Sequence, residues 1–239
     1  MGMAPPSNQI LLSLPLPTLE RLRPDLELVE IKRKQVVDRA GELVEYIYFP
    51  NRGLISLVQN MRDGRVVEIG VVGTKGLTNA HSLLGLSLAP VDAVVQIPGE
   101  AFRIKRRMLR DHIEESDSLR DALEKYGHFA LLAFAQTAAC NRLHHLEERC
   151  CRWLLIGHDS ARSDTFELTH EFLAMMLGVQ RSGLSITANI LQREGLIRYK
   201  HGRITIVNRS GLEQGACECY GVLRVAYDNL FKTLEKTSG

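Results

Sequence analysis

Between positions 168 and 203 the chain reads LTHEFLAMMLGVQRSGLSITANILQREGLIRYKHGR, and the side chains it offers to a partner are of one kind. If Leu184, Ala188 and Leu191 form the inner side of a helix running from Gln180 to about Gln192, then Gln180, Arg181, Ser182, Ser185, Ile186 and Asn189 fall on the other side. Arg makes a bidentate pair with guanine, and Gln can do the same with adenine. Ser donates or accepts at a base edge or a phosphate, and Ile fits a thymine methyl. Around these residues six cations (Arg181, Arg193, Arg198, Lys200, Arg203, Arg209) stand against one anion, Glu194, between Gly178 and Ser210. That is net +5 within 33 residues of a chain that carries only +2 overall. The positive field is therefore local and suited to phosphate, without a general affinity for polyanions.

Such a face needs two short helices and a hairpin to hold it. Thr169 is placed to cap a first helix, for which Phe172, Leu173, Met176 and Leu177 supply an apolar stripe. Gly178 stops that helix in the left-handed conformation a tight turn requires, and Val179 plugs the turn. Gly195-Leu196-Ile197 ends the second helix and starts a basic hairpin whose tip, Arg198 to Arg203, brings Lys200 and His201 along a phosphate backbone. Two helices, a tight turn and a hairpin in this order make a winged helix-turn-helix. The same motif can also bind protein. His170-Glu171 opens like a zinc metalloprotease signature, but Ala174 stands where the second His is needed. Met175-Met176 reads as core filling.

Upstream, from about Leu26 to Ile104, short β-type runs (LELVEI, GELVEYIYF, GLISLVQN, RVVEIGVVG, VDAVVQI) alternate with breakers at 38–41, 50–53, 62–64, 73–76 and 98–99. Parallel strands would need crossover helices for which there is no room, so an antiparallel barrel or jelly roll is expected. After Ala101 the texture becomes helical. A helix from Ser118 to about Asn141 carries Leu119, Leu123, Tyr126, Ala130, Ala133 and Thr137 on one stripe, and its second half, FALLAFAQTAA, is apolar all round. Burial on every side points to a dimerisation helix that also covers the barrel, the alternative being an internal helix of a monomer. His144-His145 marks a hinge into LEERCCRWLLIGHDS, with Leu146, Cys150, Trp153, Leu154 and Gly157 as its stripe. Phe166 to Leu168 can form a short strand, and Leu212 to Leu234 a last helix packing on the wing domain. The expected fold class is α+β, with a β-barrel domain at 1–115, a central helix at 116–145 and a winged helix-turn-helix domain with its C-terminal helix at 146–239.

Hydrophobic residues at 45% and charged residues at 24% suit a globular core and exclude a disordered chain. ILLSLPLP near the N-terminus is too short and too proline-rich for a signal peptide or a membrane span, so a cytoplasmic protein with no membrane partner is expected. Five cysteines (Cys140, Cys150, Cys151, Cys217, Cys219) make an odd count. Cys150 and Cys151 project about 100° apart on a helix. Cys217-Glu-Cys219 has one intervening residue where zinc sites typically use two to four. The thiols thus read as structural, with redox sensing as the alternative, and neither a metal nor a cofactor is expected. Among eight histidines, His81 and His128 stand isolated and do not suggest haem ligation.

With these elements in place, the chain resembles the Crp/Fnr family of bacterial transcription regulators over nearly its whole length. The likeness is strongest in LTHEFLAMMLGVQRSGLSITANILQREGLI. It implies a homodimer reading an approximately palindromic duplex, contact with RNA polymerase, control by a small-molecule effector, and no enzymatic activity. It also implies backbone contacts by Thr169 and His170 and base reading by Arg181, Ser182 and Ile186. The family often carries Arg, Glu and Arg at those last three places, so its usual operator does not transfer. Asp63 to Gly70 (DGRVVEIG) resembles the turn and strand before the cyclic-nucleotide cassette. Leu88-Ala89-Pro90 then occupies the region where the cassette's Arg is expected, and a buried cyclic phosphate without a bidentate cation is costly. Cyclic AMP and cyclic GMP are therefore not the expected effectors. Gly73-Thr74-Lys75 reads as a turn, and the N-terminal cysteine cluster of iron-sulfur members is missing, since Cys140 is the first cysteine. Two other readings stay open: a constitutive DNA binder whose barrel is a scaffold, and a metal-dependent enzyme on the barrel, for which no close set of His and carboxylates is evident.

Overall fold

A computed structural model describes residues 6–80 and 85–232. The chain opens with α1 (Gln9–Leu12) and α2 (Leu16–Leu22). Fully buried Asn8 caps α1 by accepting from the Ile10 and Leu11 amides, while its own amide donates to the carbonyls of Pro50 and Gly76. The ILLSLPLP stretch is thereby anchored in the core through Ile10, Leu11 and Leu14, while Leu12 and Leu16 stay exposed.

Strands β1 (Glu27–Ile31), β2 (Val36–Asp38), β3 (Tyr46–Asn60), β4 (Val66–Val72) and β5 (Asp92–Lys105) form one antiparallel sheet in the order β1-β5-β3-β4, with β2 also on β5. Two of the expected turns are not turns. Residues 50–53 and 98–99 lie inside β3 and β5, which run on through register shifts between Pro50 and Ile55. The cause is close approach: a Cβ on Gly99 would lie 2.1 Å from the Arg52 carbonyl oxygen, and one on Gly53, at φ 100°, 2.6 Å from that of Ile97. Residues that end a strand at a surface turn here bend it as a bulge. The expected strand at 41–49 likewise starts only at Tyr46, Leu43 making an isolated bridge to Leu88. Strand β5 continues past Ala101, so the helical texture begins at α3 (Arg106–Glu115).

Helix α4 (Asp117–Leu143) is capped by Ser116, whose hydroxyl accepts from the Leu119 amide at 3.3 Å. Its inner side buries Leu119, Ala122, Leu123 and Tyr126 against Ile47, Phe49, Phe102 and Ile104 of the sheet. Each large side chain so buried contributes about 1.5–3 kcal/mol. The other side of its second half is bare: Leu131 is 66% exposed and Leu143 74%. His144 and His145 separate α4 from α5 (Leu146–Ala161), which buries Cys150, Trp153, Leu154 and Gly157 and packs with Leu54, Val58 and Ile97 of the sheet.

The remainder is β6 (Thr165–Glu167), α6 (His170–Met176), α7 (Arg181–Arg193), β7 (Ile197–Lys200), β8 (Arg203–Ile206), α8 (Arg209–Gly215) and α9 (Cys219–Lys232), with a small sheet ordered β6-β8-β7. The single last helix expected from Leu212 is broken at 216–218, and its expected end at Leu234 lies outside the described residues. Its packing also differs from expectation. Helix α8 buries Leu212 in the core shared with α5, but α9 turns back onto α4. There Tyr227 meets Phe129 edge to face at 5.2 Å and stacks on Phe231, an aromatic cluster that holds α9 against α4.

Candidate nucleic-acid interface

Thr169 caps α6 as its sequence position suggests, its hydroxyl accepting from the Phe172 amide at 3.3 Å. Leu173, Met176 and Leu177 are buried, and Gly178 makes the turn at φ 64°. The Val179 amide donates to the Ala174 carbonyl at 2.9 Å and fixes the start of α7. Along α7, Leu184, Thr187, Ala188 and Leu191 are buried. Gln180, Arg181, Ser182, Ile186 and Asn189 are exposed. Ile186 is 63% exposed, which an aliphatic side chain tolerates in water but gains nothing from until an apolar group covers it.

Ser185 departs from the expected pattern. It is half-buried, donates to the Arg181 carbonyl at 2.9 Å and lies 3.2 Å from His170 Nδ1. His170 in turn stacks on Tyr199 with ring centroids 4.1 Å apart. Burial, helped by the Arg181 charge, pushes the His170 pKa below its ordinary value, so the ring is neutral at neutral pH. These two residues brace α6, α7 and the hairpin against one another instead of standing free on the surface. A Ser four residues after a helical carbonyl bonds back to it, and this is what removes Ser185 from the exposed set.

The hairpin turns over His201 and Gly202, at φ 50° and 74°, the two-residue geometry that matches strand twist. Lys200, His201, Arg198 and Arg203 are exposed, and Gln192 Oε1 accepts from the Tyr199 amide at 2.9 Å, tying β7 to α7. One cation is lost from the expected footprint. Arg209 is half-buried and neutralised by ion pairs, 2.8 Å from Asp159 and 3.0 Å from Glu213, and it donates to the Tyr220 hydroxyl at 2.7 Å. The surface charge is therefore carried by Arg181, Arg193, Arg198, Lys200 and Arg203.

The motif rests on the five-stranded sheet through polar contacts that sequence reasoning missed. Buried Glu68 of β4 accepts from the Ser56 hydroxyl at 2.5 Å and from the Trp153 indole at 3.1 Å. Burial pushes its pKa up to about 7, against the pull of those two hydrogen bonds and of Arg152. Arg33 pairs with Glu167 at 3.1 Å and Gln96 reaches Met176 Sδ at 3.3 Å, while Arg149 of α5 ties α6 to its own helix by donating to the Leu177 carbonyl.

Next to this contact β4, the 73–76 turn, α4, α5 and α9 surround a cavity of about 440 Å³. Its wall combines the rings of Tyr126, Phe129, Trp153 and Tyr227 with the guanidinium groups of Arg149 and Arg152. Nε of both arginines and the Tyr227 hydroxyl are buried without a hydrogen-bond partner among the described residues. These residues come from separate elements and share no local pattern. The cysteines divide into two groups. Cys150 and Cys151 lie in the α5 core, where burial pushes both thiols up. Cys140, Cys217 and Cys219 form a buried cluster of their own beside His144. His128 is exposed on α4, and His81 lies outside the described residues.

Residues 28–116 match the family profile of a cyclic nucleotide-binding domain, and residues 148–214 that of a Crp-like helix-turn-helix domain. No curated protein sequence matches the chain. Among solved structures, FixK2 from Bradyrhizobium japonicum superposes with a TM-score of 0.66 at 16% identity, covering 80% of this chain and 98% of its own. TTHB099, a transcriptional regulator of the CRP family from Thermus thermophilus, gives 0.64 at 19%, covering 79% and 96%. The c-di-GMP responsive global regulator CLP from Xanthomonas campestris gives 0.61 at 18%, covering 80% and 99%. Among the described residues no helix is long and apolar enough to cross a membrane.

Proposed function

The chain belongs to the Crp/Fnr family, joining a cyclic nucleotide-binding domain to a Crp-like helix-turn-helix domain, and from this premise we propose that it is a homodimeric, sequence-specific regulator of transcription acting in the cytoplasm. One observation carries the reading: the side of α7 bearing Gln180, Arg181, Ser182, Ile186 and Asn189 is exposed, and cations flank it. Arg181 and Gln180 supply bidentate donors for purine edges, Ile186 an apolar contact for a thymine methyl, and Lys200 and His201 backbone contacts at the hairpin tip. Thr169, half-buried at the start of α6, stays within reach of a phosphate.

The second copy is argued from α4. His128, Leu131, Ala135, Ala138 and Arg142 follow one another at alternating spacings of three and four on its outward side, the seam of a two-helix coiled coil. Pairing there would set two α7 helices about 34 Å apart in successive major grooves and impose an approximately palindromic operator. We divide the chain accordingly into a sensor domain at 1–115, a pairing helix at 116–145 and a reading domain at 146–239, the last available to RNA polymerase.

The cavity favours a sensor over an inert scaffold, because a lining that combines aromatic rings with Arg149 and Arg152 is suited to a small molecule with an anionic group and a flat ring. A cyclic nucleotide is not that molecule on our reading, since Leu88, Ala89 and Pro90 place no cation where a cyclic phosphate needs one. Selection of bound fragments from random duplex DNA tests the main claim: an enriched inverted repeat supports it, and equal retention of all sequences at low salt overturns it. Thermal-shift screening of anionic aromatic metabolites tests the sensor, a reproducible stabilisation excluding the scaffold alternative.

A further inference from the structure

At the C-terminal end of α4, away from the reading face, four side chains converge. Cys140 lies in the last turn of α4, and His144 is the residue that ends this helix, its amide donating to the Cys140 carbonyl at 3.1 Å. Cys217 comes from the break after α8, 77 residues from Cys140, and Cys219 begins α9. The ligand atoms of all four lie within 4.8 Å of one another. Cys140 Sγ is 3.6 Å from Cys217 Sγ, and Cys219 Sγ is 3.6 Å from His144 Nδ1. A tetrahedral ion with S ligands at about 2.3 Å and an N ligand at about 2.05 Å has S···S edges of about 3.8 Å and S···N edges of about 3.5 Å. The two 3.6 Å contacts are close to those edges, the remaining separations stay below 4.8 Å, and the Cys140–Cys217 distance is far longer than a disulfide bond.

The orienting partners are also in place. His144 gives its other ring nitrogen to the Glu218 carboxylate at 3.0 Å, leaving Nδ1 for the cluster, and Gln136 donates to Cys219 Sγ at 3.0 Å. Arg152 adds positive charge on the Cys140 side, which suits a site carrying three thiolates. All three cysteines are buried, so the shell has no open position for a reacting water.

We propose that Cys140, His144, Cys217 and Cys219 form a closed tetrahedral site for one thiophilic divalent cation, zinc by chemistry, that staples α9 to α4. The single residue between Cys217 and Cys219 is no obstacle, because the chain turns there from Cys217 into α9, the Tyr220 amide donating to the Cys217 carbonyl at 3.3 Å, and both thiols reach the cluster, while the end of α4 supplies the other pair. The site stands whether or not the chain reads DNA.

The test is elemental analysis of the full chain purified under reducing conditions with zinc present, followed by Co²⁺ exchange. One zinc per chain is expected, together with the visible bands of tetrahedral Co²⁺ and a thiolate-to-cobalt charge-transfer band. Chelation should lower Tm, and Cys219→Ser and His144→Ala should each lose the metal while Cys151→Ala keeps it. Less than about a tenth of an equivalent of any metal with no charge-transfer band on adding Co²⁺ overturns the proposal, as does a Cys140–Cys217 disulfide found by mass spectrometry. If Cys219→Ser does not fold, the Co²⁺ spectrum of the unaltered chain decides.

Discussion

Helices α4 and α7 each bury one side in their own chain and leave the other open, but the open sides are opposite in chemistry. On α4 it presents Leu131, Ala135 and Ala138, and on α7 it presents Arg181, Ser182 and Asn189 around one aliphatic, Ile186. An apolar side left in water costs free energy until something covers it, whereas a polar side is already satisfied by water. The contrast separates two kinds of partner. What covers α4 should be constant and apolar, which a second α4 provides. What meets α7 should come and go, held by charge and read by hydrogen bonds, which duplex DNA provides.

The contrast breaks most sharply at Leu131. Leu131→Glu puts a carboxylate in the proposed seam and should weaken the dimer by about 3 kcal/mol or more, a hundredfold or greater rise in the dissociation constant by sedimentation. An unchanged dimer would remove α4 as the seam. Arg181→Ala should cost about 1–3 kcal/mol on the selected operator and far less on random duplex. Equal losses on both would make Arg181 a phosphate clamp and take base reading away from it.

The third prediction concerns Glu68, which seats the reading module on the sheet. Its pKa rises from an ordinary 4.5 to about 7 in the fold, so the native state holds this proton more tightly than the unfolded chain does. Its contribution to stability is thus complete below pH 4.5 and is lost as the pH climbs through about 7, with a slope of at most about 1.4 kcal/mol per pH unit. Glu68→Gln should flatten the pH dependence of urea unfolding in that window, and an unaltered profile would assign the dependence to other groups. The smallest effect is expected at the hairpin. Lys200→Ala should weaken binding to all sequences alike and lower the salt slope by about one.

What the residues announce in advance is what depends on neighbours in the chain. The α6-turn-α7 unit follows from Thr169, Gly178 and the 3.6-residue stripe, each acting within a few positions. The strand limits do not, because Gly53 and Gly99 are bend points only by virtue of facing one another across β3 and β5. Ser185 was misplaced on the surface because periodicity counts its direction and not its back-bond to Arg181. The gathering of Cys140, His144, Cys217 and Cys219 and the lining of the cavity arise from α9 folding back on α4, a contact that no local spacing encodes.

The chain has one tryptophan, and its indole N–H ends on Glu68 at the contact between α5 and the sheet. The molecule therefore carries a built-in optical gauge of its own articulation. Excitation at the red edge addresses a single fluorophore, whose emission would move to longer wavelength when the reading module lifts from the sheet and water reaches the ring. Whatever opens that contact, a change of pH among them, can be followed through this native signal, without attaching a dye.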